Sequence, residues 1–156
     1  MLNRKIETIG IMKSFGKQMP GSIMMSAGST VTGSVDSDNL LYSDGVIEIG
    51  DYKIETSKIL WDTGASKSVL YIPDCESKIG SRNANSPYVF YAASGELIKV
   101  DTYNGTIALS DGFKISGSFA VIDAEPTTAD AIIGMDVILR GKFTVDGMKN
   151  IFTFEI

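Results

Sequence analysis

The segment ILWDTGASKSVL, Ile59 to Leu70, decides how this chain is interpreted. An apolar run leads directly into Asp62, Thr and Gly follow, and a second apolar run begins a few residues later. Asp and Gly occur in turns for ordinary reasons, because Asp bonds its own backbone and Gly accepts a positive φ. A carboxylate at the end of a buried strand, however, is costly unless it is paired or used chemically. Asp62 is therefore either the acid of an active site or a turn residue between two strands.

Length and composition limit the class of protein. The chain has 156 residues, of which 44% are hydrophobic. This is enough to build the core of one domain, which should fold alone or as a small oligomer. The formal net charge is -5 and the pI about 4.7, so no basic surface is expected to attract phosphate backbones or anionic lipid. We predict that neither nucleic acid nor a membrane is a partner.

The chain contains no histidine, which excludes several catalytic systems. Ser-His-Asp and Cys-His nucleophile systems cannot form, and the commonest zinc and iron ligand is missing. Cys75 is the single cysteine and lies in a polar stretch, so we interpret it as an ordinary thiol. Glycine motifs for phosphate or dinucleotide binding do not occur. We predict no metal and no cofactor, and carboxylate, lysine or tyrosine remain for acid and base chemistry.

The first 40 residues differ in composition from the rest. The stretch from Met19 to Asn39 is rich in Gly, Ser and Met, with little strand alternation. We interpret residues 1–40 as an N-terminal arm of low order, or an extension that docks on the body, and residues 41–156 as the folded domain. The N-terminus never sustains the apolar run of a signal peptide or a spanning helix, so we expect a cytoplasmic location.

From Tyr42 onward, short apolar or alternating runs are separated by turn dipeptides, which is typical of a small all-β domain. A polar loop from Pro73 to Ser86 interrupts them, and MDVILRG, Met135 to Gly141, is the one helix candidate of this part. The last two strands should form a hairpin with a type I′ turn at Asp146-Gly147. The predicted strands are GVIEI (45–49), YKIETSKILW (52–61), SVLYI (68–72), PYVFYAA (87–93), ELIKVDTYNGTIAL (96–109), FKISGSFAVI (113–122), AIIG (131–134), FTV (143–145) and MKNIFTFEI (148–156).

The segment LWDTGAS, Leu60 to Ser66, resembles the active-site signature of the retropepsin-like (retroviral-type) aspartic proteases. Two further segments follow in the order of that family. ASGELIKVDTY, Ala93 to Tyr103, resembles the flap hairpin, and AIIGMDVILRG, Ala131 to Gly141, resembles the apolar-apolar-Gly element with its short helix. The resemblance covers about Tyr42 to Ile156. It implies a closed β-barrel of the acid-protease fold with one short C-terminal helix, and it makes residues 41–156 the protease domain.

The resemblance also implies an activity and a set of site residues. Enzymes of this family hydrolyse peptide bonds in extended peptides, using two aspartates that share one proton and activate water. Asp62 would be catalytic, and Thr63 and Gly64 would support its loop. The other implied positions bind substrate: Ala65 and Ser66 in the loop, Ser94 and Gly95 at the flap tip, and Ile98, Val100 and Ile133 as pocket walls.

The chain supplies one Asp-Thr-Gly loop, so the resemblance implies a homodimer in which each subunit contributes Asp62. The terminal run NIFTFEI, Asn150 to Ile156, has an apolar alternation that fits an interface strand and an ordinary core strand equally well. Retroviral members of the family usually carry Arg after the Ile-Gly pair. This chain instead has Met135 followed by Asp136, as bacterial relatives often do.

Three interpretations of function stay open. The first is a homodimeric endopeptidase in which the two Asp62 carboxylates activate water. The second is a catalytically inactive dimer of the same fold that binds extended peptides or scaffolds a larger assembly. The third is a plain β-barrel domain in which Asp62 is a turn residue. Turnover separates the first two, and the third predicts that two Asp62 carboxylates never meet.

Overall fold

A computed structural model of the protein describes residues 23–26, 30–80, 84–91 and 94–156. Most regular elements in this part of the chain are β-strands, and they belong to one sheet. The strands are β1 (Met24–Met25), β2 (Thr30–Val35), β3 (Leu41–Ile49), β4 (Tyr52–Trp61), β5 (Val69–Tyr71), β6 (Ala84–Tyr91), β7 (Leu97–Leu109), β8 (Lys114–Ile122), β9 (Ala131–Ile133), β10 (Lys142–Asp146) and β11 (Ile151–Glu155). The helical elements are α1 (Cys75–Ile79), a 3₁₀ turn (Ser110–Gly112) and α2 (Met135–Ile138).

Six of these strands close into a barrel in the order β3-β4-β9-β5-β8-β7, because β7 pairs back onto β3. The closing pairs run from Gly45 opposite Leu109 to Glu48 opposite Thr106. Closure satisfies the backbone groups at what would otherwise be two free sheet edges. The all-β closed barrel predicted from the sequence is confirmed.

Outside the barrel, β2, β11 and β10 extend the sheet from β3. β11 alternates as its sequence predicts, with Phe152 and Phe154 buried and Glu155 exposed. It pairs with β10 along one edge and with β2 along the other. Of the two interpretations open for the terminal run, the core strand is therefore the one observed.

The core on this side of the barrel is built around Trp61, the last residue of β4. Its ring stacks on Phe143, with 5.8 Å between centroids and 12° between planes, and the rings of Phe152 and Phe154 lie 5.5 and 5.2 Å away. The indole N–H donates to the buried Ser43 Oγ at 2.9 Å. This bond satisfies the one polar group of the indole ring. An aromatic cluster thus anchors the end of β4.

The helices differ in one respect from the prediction. α2 lies where a helix was expected, but α1 falls in the region 73–86, which the sequence analysis assigned to a polar loop. The predicted single helix is therefore corrected to two. Asp74 enters α1 with φ 55° and Gly80 follows it with φ 84°, while Cys75 and Ile79 pack into the core. A helix of five residues is too short to show a 3.6-residue period in sequence.

The N-terminal boundary of the domain also differs from the prediction. β2 lies within the arm assigned to residues 1–40, yet it pairs with β11 and β3, and Val31 is buried. Its sequence TVTGSV is small and mostly polar, so it carries a weak strand signal. Residues 1–22 and 27–29 of the predicted arm lie outside the described residues. The sheet therefore includes two strands, β1 and β2, that lie before the predicted boundary.

The hairpin of β10 and β11 has a longer loop than predicted. Pairing ends with Asp146 opposite Ile151, so four residues form the connection. The Asp146 carboxylate accepts the N–H groups of Met148 and Lys149 at 3.1 and 3.2 Å, and Asn150 takes φ 52°. The Asp146 side chain therefore stabilises this loop by capping it. The predicted type I′ turn would instead have a positive φ at its two central residues, Asp146 and Gly147.

Gly33 of β2 provides a test of the aromatic cluster. A Cβ at this position would overlap the Phe152 ring and the carbonyl oxygen of Tyr42. We expect Gly33→Ala to lower the free energy of unfolding by about 1–3 kcal/mol, because a closely packed core cannot absorb an added methyl group. The control is Gly147→Ala, where a Cβ meets no atom within 4 Å, and stability should change by less than about 0.5 kcal/mol. Urea unfolding followed by Trp61 fluorescence measures both, and equal losses would contradict this packing.

Candidate active site

Asp62 begins the loop between β4 and β5, two strands that both pair with β9. β4 pairs in parallel with β9, and β5 pairs with the same strand in the antiparallel sense, with Val69 opposite Ile132. Residues 62–68 connect β4 to β5. Every residue of β9 is buried, as expected for an apolar strand covered on both faces. The loop that carries Asp62 is therefore attached at both ends to the rigid interior of the barrel.

Hydrogen bonds fix the conformation of this loop. The Asp62 N–H donates to the Ile133 carbonyl at 3.0 Å, and the Ala65 N–H donates to the Asp62 carbonyl at 3.2 Å. The Gly64 N–H donates to Asp62 Oδ1 at 2.7 Å, a bond strengthened by the charge of the carboxylate. Asp62 is half-buried, whereas Thr63 and Gly64 are exposed. The carboxylate is thus oriented by its own loop and still open to solvent.

Gly134 allows the end of β9 to approach the loop closely. A Cβ here would lie 2.7 Å from the Lys67 backbone and 2.8 Å from the Ala65 carbonyl oxygen. Contacts this short exclude any larger side chain unless the backbone moves. The next residue, Met135, donates its N–H to the same Ala65 carbonyl at 2.8 Å. The glycine of the AIIG segment is therefore a packing requirement of the Asp62 loop.

Ser68 and Asp136 form a side-chain bridge between the loop and α2. The Ser68 hydroxyl donates to Asp136 Oδ1 at 2.8 Å, and the Ser68 N–H donates to Asp136 Oδ2 at 3.1 Å. Ser68 Oγ in turn accepts the Gly134 N–H at 3.0 Å. These bonds tie together the C-terminal end of the loop, the end of β9 and the first turn of α2. Asp136, in the Met135-Asp136 pair that departs from retroviral sequences, supports the loop directly.

The loop residues predicted to bind substrate have distinct environments. Ala65 is buried and packs with Ala129 and Ile132, and its N–H and carbonyl both bond within the site. Ser66 is half-buried, and its hydroxyl oxygen is buried with no hydrogen-bond partner in the described part of the chain. A buried hydroxyl without a partner is costly. Ser66 therefore keeps unused hydrogen-bonding capacity four residues after Asp62.

The predicted flap hairpin is formed by β6 and β7. Tyr91 and Leu97 are the last paired residues before its tip. Ser94 and Gly95 form an exposed turn there, and Gly95 takes φ 83°, a conformation that glycine adopts without strain. Residues 92–93 of the predicted hairpin lie outside the described residues. The turn predicted at Ser94-Gly95 is thus in place, at the tip of a two-stranded projection.

The two isoleucines predicted as pocket walls have different surroundings. Ile98 is half-buried and packs against a cluster that includes Val69 of β5. Ile133 is 0% exposed and belongs to the main core, so its side chain cannot line an open pocket and that assignment is corrected. Ile132 is the residue of β9 that packs with Ala65. Successive strand residues face opposite sides, and the sequence does not reveal which side of a fully apolar strand meets the loop.

Sequence reasoning missed Ser68 and Asp136 as parts of the site. The two residues are 68 positions apart, and neither residue type points by itself to such a contact. Only their positions next to regular elements could have indicated a role. Ser68 lies directly before the buried strand β5, and Asp136 lies in the first turn of a helix. At both kinds of position, side-chain oxygens commonly accept hydrogen bonds from free backbone N–H groups.

Other chemistry-bearing groups do not form a second centre in the described residues. Cys75 is buried, and burial raises the pKa of its thiol, which favours the protonated form over the reactive thiolate. No group of three or more His, Cys, Asp or Glu side chains that could hold a metal ion occurs in this part of the chain. Among the same residues, no helix has the length and apolar character needed to cross a membrane.

Comparisons with known proteins find similarity among solved structures. No family model matches the chain, and no curated protein matches it. Among solved structures, the chain is similar to a retropepsin-like aspartic protease from Rickettsia conorii. The two share 17% sequence identity with a TM-score of 0.49, and the similarity covers 85% of this chain and 93% of that chain.

The bridge between Ser68 and Asp136 should contribute measurably to stability. We expect Asp136→Ala to lower the free energy of unfolding by about 1.5–3 kcal/mol, because two donors to a charged acceptor lose their partner. Asp136→Asn keeps one acceptor oxygen and should lose less. The control is Asp51→Ala, at an exposed carboxylate in the β3–β4 turn, with an expected change within about 0.5 kcal/mol. Chemical denaturation measures all three, and a loss no larger than that of the control would show that the bridge does not support the loop.

Proposed function

We propose that the protein is an aspartic endopeptidase that acts as a homodimer, with one Asp62 from each subunit. The observation that carries this proposal is the placement of Asp62. Asp62 is half-buried directly after the buried Trp61 that ends β4, on a loop that is hydrogen-bonded to β9 and α2. A turn aspartate needs no such support. A preorganised and accessible carboxylate is what general acid and base catalysis requires.

The proposed chemistry needs two carboxylates that share one proton. The ionised Asp62 takes a proton from water, and the protonated Asp62 of the partner subunit gives its proton to the peptide carbonyl oxygen. The water oxygen bonds to the carbonyl carbon and forms a tetrahedral diol. When the C–N bond breaks, the protonated Asp62 gives its proton to the leaving amine, and the ionised Asp62 takes a proton from a hydroxyl of the diol, so the dyad again holds one proton. Each step conserves protons without a metal or a cofactor.

A second subunit is required because the chain has one Asp-Thr-Gly loop. The other Asp-Gly pairs lie in or between strands: Asp44 lies in β3, Asp111 in the 3₁₀ turn between β7 and β8, and Asp146 at the end of β10. None of these pairs carries the Thr-Gly context of Asp62. An isologous contact across a two-fold axis would bring the two equivalent loops together. Thr63, exposed beside the carboxylate, would then meet the partner loop and hold the dyad in place.

The proposed substrate is an extended peptide or an unfolded segment of a protein. The hairpin of β6 and β7 projects an exposed turn at Ser94 and Gly95, and it carries exposed apolar side chains at Val89, Tyr91 and Leu97. Such a hairpin can close over a bound chain and exclude water. Main-chain bonds to an extended peptide would provide affinity, and pockets for alternate side chains would provide preference. We propose that this takes place in the cytoplasm.

Replacement of the proposed catalytic group tests the activity. We expect Asp62→Asn to reduce cleavage of a diverse peptide library by at least about 10²–10⁴-fold, because the amide can neither take a proton from water nor give one to the carbonyl. Asp44→Asn is the matched control, since it changes an exposed aspartate that also precedes glycine. Mass spectrometry of products between about pH 4 and pH 7 measures both. Peptide binding without cleavage by a dimeric wild type would instead support an inactive peptide-binding module.

Mixed dimers test whether each active site needs two subunits. A fixed amount of wild-type protein is titrated with Asp62→Asn protein under conditions that allow subunit exchange. At equal amounts, about half of the wild-type chains should pair with an inactive copy, so cleavage should fall by about half. Asp44→Asn protein should cause no fall. Unchanged cleavage in the presence of exchanged Asp62→Asn subunits would contradict a shared dyad.

A further inference from the structure

Lys67, in the loop that carries Asp62, differs in burial from the other basic residues. It is half-buried, whereas every other lysine in the described part of the chain is exposed, as is Arg140. Lysine side chains usually keep the ammonium group in water and bury the aliphatic stem along the protein surface. Part of the Lys67 stem therefore packs against the protein, and this packing restricts where the charge can lie.

The charge of Lys67 is not neutralised by an ion pair within residues 23–26, 30–80, 84–91 and 94–156. The ion pairs in these ranges join Lys53 to Glu48 and Lys149 to Asp146. A cation that loses part of its hydration without gaining an anion is unfavourable. Lys67 would therefore gain from a negatively charged group that comes from outside this part of the chain.

The carboxylates of the candidate site have other partners. Asp62 Oδ1 accepts the Gly64 N–H at 2.7 Å. The two oxygens of Asp136 accept the hydroxyl and the N–H of Ser68 at 2.8 and 3.1 Å. Both carboxylates are thus used to hold the loop in shape, and neither forms an ion pair with Lys67. A ligand bound at the site is the remaining source of an anion for this lysine.

The loop folds so that Lys67 lies near Asp62. A Cβ placed on Gly134 would lie 2.7 Å from the carbonyl group of Lys67 and 2.8 Å from the carbonyl oxygen of Ala65. The two loop residues therefore pack against the same glycine. Ala65 in turn donates its N–H to the Asp62 carbonyl at 3.2 Å. An extended peptide whose scissile bond lies at Asp62 would thus pass Lys67 within a few residues of that bond.

Ser66 supplies a hydroxyl group beside this cation. Its Oγ is buried and has no hydrogen-bond partner among the described residues, so no hydrogen bond holds the side chain in its present rotamer. The residue as a whole is half-buried, and rotation about χ1 can bring the hydroxyl to its exposed side. A hydroxyl donates one hydrogen bond and an ammonium group donates up to three. A carboxylate is the ligand group that fits these donors.

We infer that Lys67, with Ser66 beside it, binds an acidic side chain of the substrate within a few residues of the scissile bond. The ammonium group neutralises the carboxylate of a Glu or Asp, and the Ser66 hydroxyl donates to the same carboxylate. The chain has 19 acidic and 14 basic residues, so its overall charge repels acidic peptides. A preference for an acidic residue at one substrate position therefore has to come from a local cation.

This inference rests on the proposed function and names the class of substrate for the same site. A homodimer with a two-fold axis contains two copies of Lys67, one on each side of the dyad. Each half of an extended peptide would therefore meet one of them. The preference for an acidic residue should occur on both sides of the scissile bond, at similar distances from it.

A diverse set of peptides with a scanned glutamate tests the inference. Each peptide contains Glu as its single acidic residue, is amidated at the C-terminus, and has a counterpart with Gln at the same position. We expect wild-type protein to cleave the Glu peptide about three- to tenfold faster when this residue is near the scissile bond, and equally fast when it is distant. Lys67→Met keeps an apolar stem and should abolish the difference. Lys67→Glu should instead favour counterparts with Lys at that position, and Ser66→Ala should reduce the preference for Glu.

Lys114→Glu is the matched control for charge. Lys114 is exposed at the start of β8, and its replacement changes the net charge by the same amount as Lys67→Glu. This variant should keep the wild-type preference for Glu. Wild-type protein that cleaves Glu and Gln peptides equally at every position would overturn the inference, as would Lys67 variants that keep the wild-type preference.

Binding measurements separate failure of this inference from failure of the proposed function. Asp62→Asn protein, with and without Lys67→Met, is titrated with the same peptides carrying a neutral fluorophore, and fluorescence polarisation measures the affinity. If wild type cleaves no peptide but Glu peptides bind more tightly than Gln peptides when Lys67 is present, the subsite is correct and the activity is wrong. If peptides are cleaved without any difference between Glu and Gln, the activity stands and this inference is wrong. Absence of both cleavage and binding would contradict both.

Discussion

The site depends on one close approach, that of Gly134 to the Asp62 loop. The end of β9 passes so near the backbone of Ala65 and Lys67 that a Cβ would not fit. This approach allows the Ala65 carbonyl to accept the Met135 N–H, and the Ser68 hydroxyl to accept the Gly134 N–H. Because β9 lies between β4 and β5 in the barrel, the loop cannot rearrange without separating strands of the core. Asp62 therefore takes its rigidity from the barrel.

Two polar interactions extend this constraint outward. The Trp61 indole bonds Ser43 across the core, which fixes the strand just before the carboxylate. The Asp136 carboxylate bonds Ser68 at the far end of the loop. Buried or half-buried polar contacts of this kind are costly to break, because each leaves a donor or acceptor without a partner. The loop is thus fixed at both ends while its middle, Thr63 and Gly64, stays exposed.

Local sequence patterns predicted much of this structure, and the exceptions have physical causes. The strong strands, the flap turn and the helix after AIIG could be located because apolar alternation, glycine and turn residues act locally. β2 was missed since TVTGSV contains few apolar residues, and its place depends on pairing with β11, more than one hundred residues away. Ile133 was assigned to a pocket from the family resemblance, and the fully apolar sequence of β9 does not show which of its faces meets the loop. The Ser68 and Asp136 contact depends on tertiary structure that no local pattern contains.

The barrel and the Asp62 loop are linked through one aromatic cluster. Six strands close the barrel, and β2, β11 and β10 extend the sheet from β3. Phe143 of β10 packs on the rings of Trp61 and Phe152, so the added strands and the end of β4 share this cluster. Because Trp61 directly precedes Asp62, the packing of the aromatic rings fixes the strand end from which the Asp62 loop begins. The hydrophobic core and the candidate site are therefore positioned by the same contacts.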